Sequence, residues 1–419
     1  MTEVGASRGP VARGSVARVG TATALTALCG YAVIYLAARD LAPTGFSVFG
    51  VFWGAFGLVT GAANGLLQET TREVRSTQYI DALDAVPGSR THPLRVAAMV
   101  GVAAAVVIAG SSPLWSGRVF VEARWLSVGL LSVGLAGFCL HATLLGMLAG
   151  TNQWTHYGAL MVTDAVIRVA VAAATFVIGW GLTGFLWATV AGATAWLIML
   201  AASPTARAAA RLLTPGGTAT FLRGAAHSIT AAGASAILVM GFPVLLKLTS
   251  TQLGAQGGVI ILAVTLTRAP LLVPLTAMQG NLIAHFVDER SDRLRALIAP
   301  AAIIAGIGAV GVLAAGVVGP WLLRVAFGAQ YQASSALLAW LTGAAVAIAM
   351  LTLTGAATVA GALHRAYSLG WVGATVASGL LLLLPLPLQT RTVVGLLCGP
   401  LVGIGVHLLA LARAGRLTG

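Results

Sequence analysis

Arg268 sits in LAVTLTRAPLLVPLTAMQGNLIA (262–284), an otherwise uncharged apolar run long enough to cross a bilayer. A central arginine in such a run costs about 2.5–3.5 kcal/mol even on the lenient insertion scale, so something must offset it. It stands about ten residues from the nearer end of its hydrophobic core, roughly 15 Å at 1.5 Å per residue. That is beyond the reach of a snorkelling side chain. No acid lies within a turn or two along the same segment. The chemistry this suits is anion binding in a wet cavity, and the structural alternative is hydrogen bonding to the carbonyls, or to a distant acid, of another helix. Pro270 and Pro274 follow, remove two backbone donors and predict a hinge in the segment.

Asp164, in VTDAVIRVA, is the acid that falls inside an apolar segment, and Arg168 follows it at i,i+4. That spacing puts both on one helix face as an ion pair; the functional alternative is a protonatable coupling group. A third group, GLLQETTREVR (65–75), closes an apolar segment with Gln68, Glu69, Arg72, Glu73 and Arg75. Mixed charges there read as a solvated helix end, or as hydrogen-bonding groups at the mouth of a pathway. Gln279, Asn281 and His285 occupy the matching place in the second half, and Arg39 and Lys247 lie near the opposite ends of their segments as weaker anion-binding candidates. His141 and His227 have no second ligand at metal spacing, and Cys29, Cys139 and Cys398 form neither a disulfide nor a zinc pattern. Neither a metal nor a cofactor is expected.

The elements that must position these groups are membrane helices. With 58% hydrophobic and 8% charged residues, the 419-residue chain lacks the polar surface of a soluble globule. Its net charge of +13 comes from basic residues scattered between apolar segments, which argues against nucleic acid as a partner. Windows of about 20 apolar residues predict twelve spans: 19–38, 46–67, 93–111, 126–149, 155–178, 181–202, 224–247, 256–284, 297–320, 333–360, 366–387 and 392–412. The first is too long for a signal-peptide core and reads as a retained helix.

Placing both termini in the cytoplasm leaves only Arg39, Arg118, Arg124, Lys247, Arg324 and Arg391 in the outer segments, while most arginines fall in inner ones. The positive-inside rule selects that orientation. The basic, Pro/Gly-containing interval SPTARAAARLLTPGGTATFLR divides the chain into an N-terminal six-helix lobe (1–202), a cytoplasmic linker (203–223) and a C-terminal six-helix lobe (224–419). Four short similarities support that division, among them LAPTGFSVFG (41–50) with LGAQGGVIIL (253–262) and LAGTNQWTHY (148–157) with VAGALHRAYS (359–368). Their nearly constant offset of about 210 residues marks an internal repeat. An even number of helices per copy gives both the same orientation, related by a pseudo-two-fold along the membrane normal. The predicted fold class is therefore all-α. Gly50, Gly54, Gly57, Gly61 and Gly65 in span 2, and Gly395, Gly399 and Gly403 in span 12, read as close-packing faces.

Twelve spans in two parallel halves, with LAARDLAPTGFSVFGVFW (36–53), QETTREV (68–74), FGAQYQASSALLAWL (327–341) and AGALHRAYSLG (360–370), resemble the multidrug/oligosaccharidyl-lipid/polysaccharide (MOP) exporter superfamily. Within it the chain is most similar to the polysaccharide-type, Wzx-like flippases. The resemblance implies two lobes, alternating access around a central, often cationic cavity, and no enzymatic chemistry. It implies a polyprenyl-diphosphate-linked oligosaccharide as substrate, membrane lipids and other polysaccharide-assembly membrane proteins as partners, and the bacterial inner membrane as location. Arg268 would hold the phosphate, with Arg39 and Lys247 beyond it and Gln68, Arg72, Gln279 and Asn281 at the inner mouth. An ion-coupled multidrug or other small-molecule exporter of the same superfamily is the alternative, and a polyprenyl-phosphate-dependent glycosyltransferase a more distant one. Drug exporters typically place acids in the membrane to take cationic cargo, whereas the lone cation here is Arg268 and the acid stands beside an arginine.

Overall fold

In the computed structural model, which describes residues 13–80, 90–288 and 293–418, almost every residue outside short connections is helical. Among the described residues, nine helices are long and apolar enough to cross a membrane, and a bent pair makes a tenth. The stretch Arg18–Ser76 is 59 residues long, about three times the length that one crossing needs. It breaks at Ala42 (φ 51°, ψ 170°), just before Pro43, into spans 1 and 2. Proline forces its predecessor into extended ψ, and the positive φ ends the first helix at a cost of about 1–3 kcal/mol for a residue with a Cβ. His364–Leu381 completes the twelve spans that the sequence predicts.

Spans 3, 4 and 5 are Pro93–Val119, Arg124–Gly150 and Trp154–Ile178. Span 6 runs from Gly181 to Ala202, with a tight turn at Gly192–Thr194. Span 7 is Thr218–Val239 followed by Phe242–Leu248, bent by 67°. Span 8 is Gly254–Asp288, span 9 is Ile298–Val317 continued by Gly319–Phe327, and spans 10, 11 and 12 are Ser335–Ala360, His364–Leu381 and Leu388–Thr418. The internal repeat reappears in the backbone. Ala42 and Gly254, 212 residues apart, both take positive φ, and so do Asn152 and Ala362, 210 apart. Equivalent turns thus close equivalent spans in the two halves.

Apolar side chains face outward as well as inward. Leu114, Val177 and Val317 are at least 80% exposed, and spans 3 and 9 present most of their surface to the surroundings. An aqueous surface does not tolerate such a belt, whereas lipid does. The chain is a multi-pass membrane protein. One continuous core joins the halves, from Val33, Phe46, Phe52 and Phe185 on one side to Leu238, Ile260, Tyr331 and Trp371 on the other.

Span 2 lies along span 7 through its glycines. A methyl at Gly54 would stand 2.9 Å from Pro243 Cγ and one at Gly61 2.7 Å from Ala236 Cβ, while one at Gly65 would run into the Ser228–Ile229 backbone. Small residues let these backbones approach, as the spacing predicts. At the face opposite the termini, hereafter the distal face, the Tyr331 hydroxyl donates to the Ala38 carbonyl (2.9 Å), with its ring edge-on to Phe46 and Phe327. The 203–223 interval is tied down on the terminal face: Ser203 caps the helix Pro204–Ala210, and Thr214–Pro215 pairs antiparallel with Arg90–Thr91.

Candidate functional site

Span 7 breaks because Gly241, Phe242 and Pro243 cannot continue its first helix: Pro243 sits in the first turn of the next one, where its missing donor costs nothing. The break leaves carbonyls at the end of Thr218–Val239 without helical partners. Arg268, from span 8, takes two of them: its Nη1 donates to Val239 O (3.0 Å) and Leu238 O (3.4 Å). A helix C-terminus carries partial negative charge, so the guanidinium meets a dipole as well as acceptors. The Phe242 ring lies 5.3 Å below its Cζ, a cation–π contact. These three interactions offset the cation.

The expectation that Arg268 faces a wet cavity is therefore corrected for this conformation: the side chain is buried, and carbonyls freed by a broken neighbour supply what no acid supplies. Its Nη2 is buried without a hydrogen-bond partner among the described residues. The expected hinge is also displaced. Span 8 runs as one helix through Pro270 and Pro274, both exposed, and the sharp break lies in span 7 at Pro243.

Near the distal ends of spans 2, 3, 7 and 8 is a cavity of about 740 Å³. Thr44 and Ser47 line it from span 2, Arg118 and Glu122 from the end of span 3 and the turn after it, and Lys247, Ser250 and Thr251 from the close of span 7. Lys247 is 8% exposed, and its Nζ donates to Thr251 O (3.3 Å). Arg391, from span 12, braces the same loop from behind: Nη1 donates to Thr249 O (2.9 Å) and Leu382 O (3.1 Å), and Nη2 to Ser250 Oγ (2.8 Å). The sequence offered no local sign of that brace, because Arg391 bonds a loop 141 residues away.

Asp164 and Arg168 pair at 3.0 Å, with side chains 12% and 16% exposed. The pair packs against the tight turn of span 6, where a side chain at Gly192 would strike both partners, and Arg168 lies 5.5 Å over the Phe56 ring. His141 is buried nearby, stacked on Phe138.

At the terminal end of span 2, Gln68 and Arg72 are exposed, and Arg72 bonds Glu69 (2.6 Å) and Glu73 (2.9 Å). Glu69 is buried and accepts from Ser228 Oγ of span 7 (3.5 Å), a bridge between halves that charge counting did not single out. Arg39 is exposed on the distal side. The side chains of Gln279 and Asn281 lie outside the described residues. Arg268, Lys247 and the Gln68–Arg72 group thus occupy three places along the interface between the halves, and the structure does not gather them into one pocket.

No protein-family model matches the chain. It is 84% identical, over 98% of its own length, to the mycobacterial proteins Mb3654 of Mycobacterium bovis and Rv3630 of Mycobacterium tuberculosis, covering 94% of each. The chain belongs to their family. Rv1510 of M. tuberculosis is a further relative at 75% identity, with 99% of this chain and 96% of that one covered. Among solved structures, this family member is similar to the inward-facing form of a multidrug resistance MATE family transporter of the MOP superfamily (TM-score 0.71, 17% identity, 94% and 96% of the two chains). It is also similar to an outward-facing MATE transporter of the superfamily (TM-score 0.63, 15% identity, 98% and 97%). A MOP transporter from Pyrococcus furiosus, described as having a binding pocket of reverse polarity that suggests a different function, matches at 0.61 and 13% identity over 96% of both chains. The fold is that of the MOP transporters, two six-helix bundles as the sequence predicts.

Proposed function

We propose that the chain is an alternating-access exporter that carries a polyprenyl-diphosphate-linked oligosaccharide, an anionic cell-envelope precursor, from the cytoplasmic to the outer leaflet of the bacterial inner membrane. Both termini face the cytoplasm in this reading, so the distal face is external. No bond of the cargo is made or broken. Membrane lipids and other polysaccharide-assembly proteins are its partners.

The observation that carries the proposal is the sign of the buried charge. Lys247 and Arg268 are buried cations that form no ion pair among the described residues, whereas the buried acids Asp164 and Glu69 are already paired, with Arg168 and Arg72. Intramembrane charges on that scale mark pathways for ligands of opposite sign. The two carbonyls hold Arg268 while the lobes are packed as here, and its second amino group is the one a phosphate would meet when span 7 shifts. With the cytoplasm negative, outward movement of anionic cargo gains about 2.3 kcal/mol per charge per 100 mV, so the membrane potential supplies a driving force.

A second reading, export of drugs or other small molecules, has its own support: the fold neighbours include multidrug transporters. Pocket polarity separates the two, since a cationic drug needs an acid that is free to meet it. Mass spectrometry of lipid-linked sugars in cells depleted of the protein tests the proposal. Accumulation of one polyprenyl-linked species on the cytoplasmic face supports it. Unchanged lipid-linked sugars with increased sensitivity to cationic drugs would replace it with the second reading.

A further inference from the structure

We propose that the distal cavity is a binding site for a phosphate-type anion, the place where the cargo's diphosphate pauses before release; this rests on the export reading above. Lys247 carries the argument. An ammonium has three protons to donate, and this one, 8% exposed, makes one hydrogen bond among the described residues, of 3.3 Å, to Thr251 O. The C-terminal turn of Phe242–Leu248 offsets part of its charge. That turn provides no counter-ion, and Lys247 forms no ion pair among the described residues.

The surroundings add to the positive field. Span 8, a 35-residue helix, begins at Gly254 on the cavity wall, which brings the positive end of its dipole to the cavity edge. Arg118 lines the rim with Glu122, both exposed, which leaves one net positive charge on the lining with Lys247. Arg391 fixes the Thr249–Ser250 loop from behind, which holds the segment just after the lysine. About 740 Å³ is ample for a diphosphate and its first sugar, within the range of small-molecule sites of about 300–1,000 Å³.

The test uses the full chain in lipid nanodiscs, with inorganic pyrophosphate as probe and titration calorimetry as readout. Wild type binds pyrophosphate, Lys247→Arg keeps the affinity within about threefold, and Lys247→Gln weakens it about tenfold or more, the loss of one charge-assisted hydrogen bond. Leu383→Trp, which fills the cavity from its wall and leaves Lys247 in place, weakens binding likewise and stands as the test should Lys247→Gln fail to elute as a monodisperse protein. Displacement of pyrophosphate by a short-chain polyprenyl diphosphate, but not by phosphatidylglycerol, assigns the site to cargo. Equal displacement by phosphatidylglycerol overturns that assignment in favour of a lipid headgroup. Absence of binding to wild type, or affinity unchanged in both variants, overturns the site itself. Pyrophosphate binding through Lys247 without transport of a polyprenyl diphosphate sugar would remove the export reading and leave the site. Unaltered transport by Lys247→Gln, with no pyrophosphate binding to wild type, would do the reverse.

Discussion

Replacing Tyr331 by Phe removes one oxygen atom from the distal seam and little else. The ring keeps its edge-on packing with Phe46 and Phe327, each at 6.2 Å between centroids, so the change isolates the hydrogen bond to Ala38 O. Tyr331 is fully buried. A hydrogen bond of this kind contributes about 0.5–1.5 kcal/mol net, and the stranded carbonyl adds to the loss, for a total of about 1–2 kcal/mol. Ala38 and Tyr331 belong to different halves, so in an alternating-access cycle the bond exists only while the distal seam is closed. Its loss should shift the closed-to-open ratio by about 5–30-fold toward open. Pulsed electron–electron distance measurements between spin labels at Glu122 and Gln330, exposed positions on opposite halves, read that ratio directly in a background with Cys29, Cys139 and Cys398 replaced. A longer-distance population should grow in Tyr331→Phe. An unchanged distance distribution together with a lower melting temperature would refute the reasoning, because the bond would then stabilise all states alike.

Arg268→Met should change stability by no more than about 2 kcal/mol in thermal unfolding, since relief from burying a charge offsets the lost carbonyl bonds, whereas Arg268→Ala adds a cavity and should cost about 2–4 kcal/mol. Both should lower transport, and full activity of either would remove Arg268 from the pathway. Asp164→Asn leaves the Arg168 cation without its counter-ion and should destabilise by about 3 kcal/mol, while the double change Asp164→Leu with Arg168→Met should be close to neutral; transport retained by the double variant would show the pair to be structural, and transport lost with normal stability would mark Asp164 as a coupling group. Gly65→Ala forces span 2 away from the Ser228–Ile229 backbone and should separate the Glu69–Ser228 bridge, which cross-linking of introduced cysteines on the terminal face would report as a lost product.

Much of the architecture was legible because a bilayer enforces it. A chain that must satisfy its backbone inside lipid has few options, so runs of about 20 apolar residues become spans. The repeat was legible because equivalent turns need equivalent residues, and the paired positive φ values at Ala42 and Gly254 show those turns in place. The Asp164–Arg168 pair followed from i,i+4 geometry alone.

What the sequence did not reveal was non-local. Arg268 is held by main-chain carbonyls of another span, and carbonyls carry no residue letter. The GFP tripeptide at 241–243 is a readable sign of the break, yet it lies inside an unbroken apolar run, whereas span 8 carries two prolines and no break. Those prolines are tolerated because neighbouring groups can satisfy the freed carbonyls. Tyr331, in a connecting loop, and Arg391, at a helix start, look like surface residues in one dimension. Only packing places the first in the seam between halves and the second behind the distal cavity.

The proposed outward transport of an anionic lipid-linked sugar can be read in vesicles that contain the purified protein. A polyprenyl diphosphate sugar is distributed over both leaflets, an impermeant reagent consumes what is outside, and the membrane is set inside-negative. If the proposed export takes place, the protein exposes the inner-leaflet pool to the reagent, faster at larger potential, and protein-free vesicles keep it shielded. A pool that stays shielded while a cationic dye leaves the vesicles would contradict it.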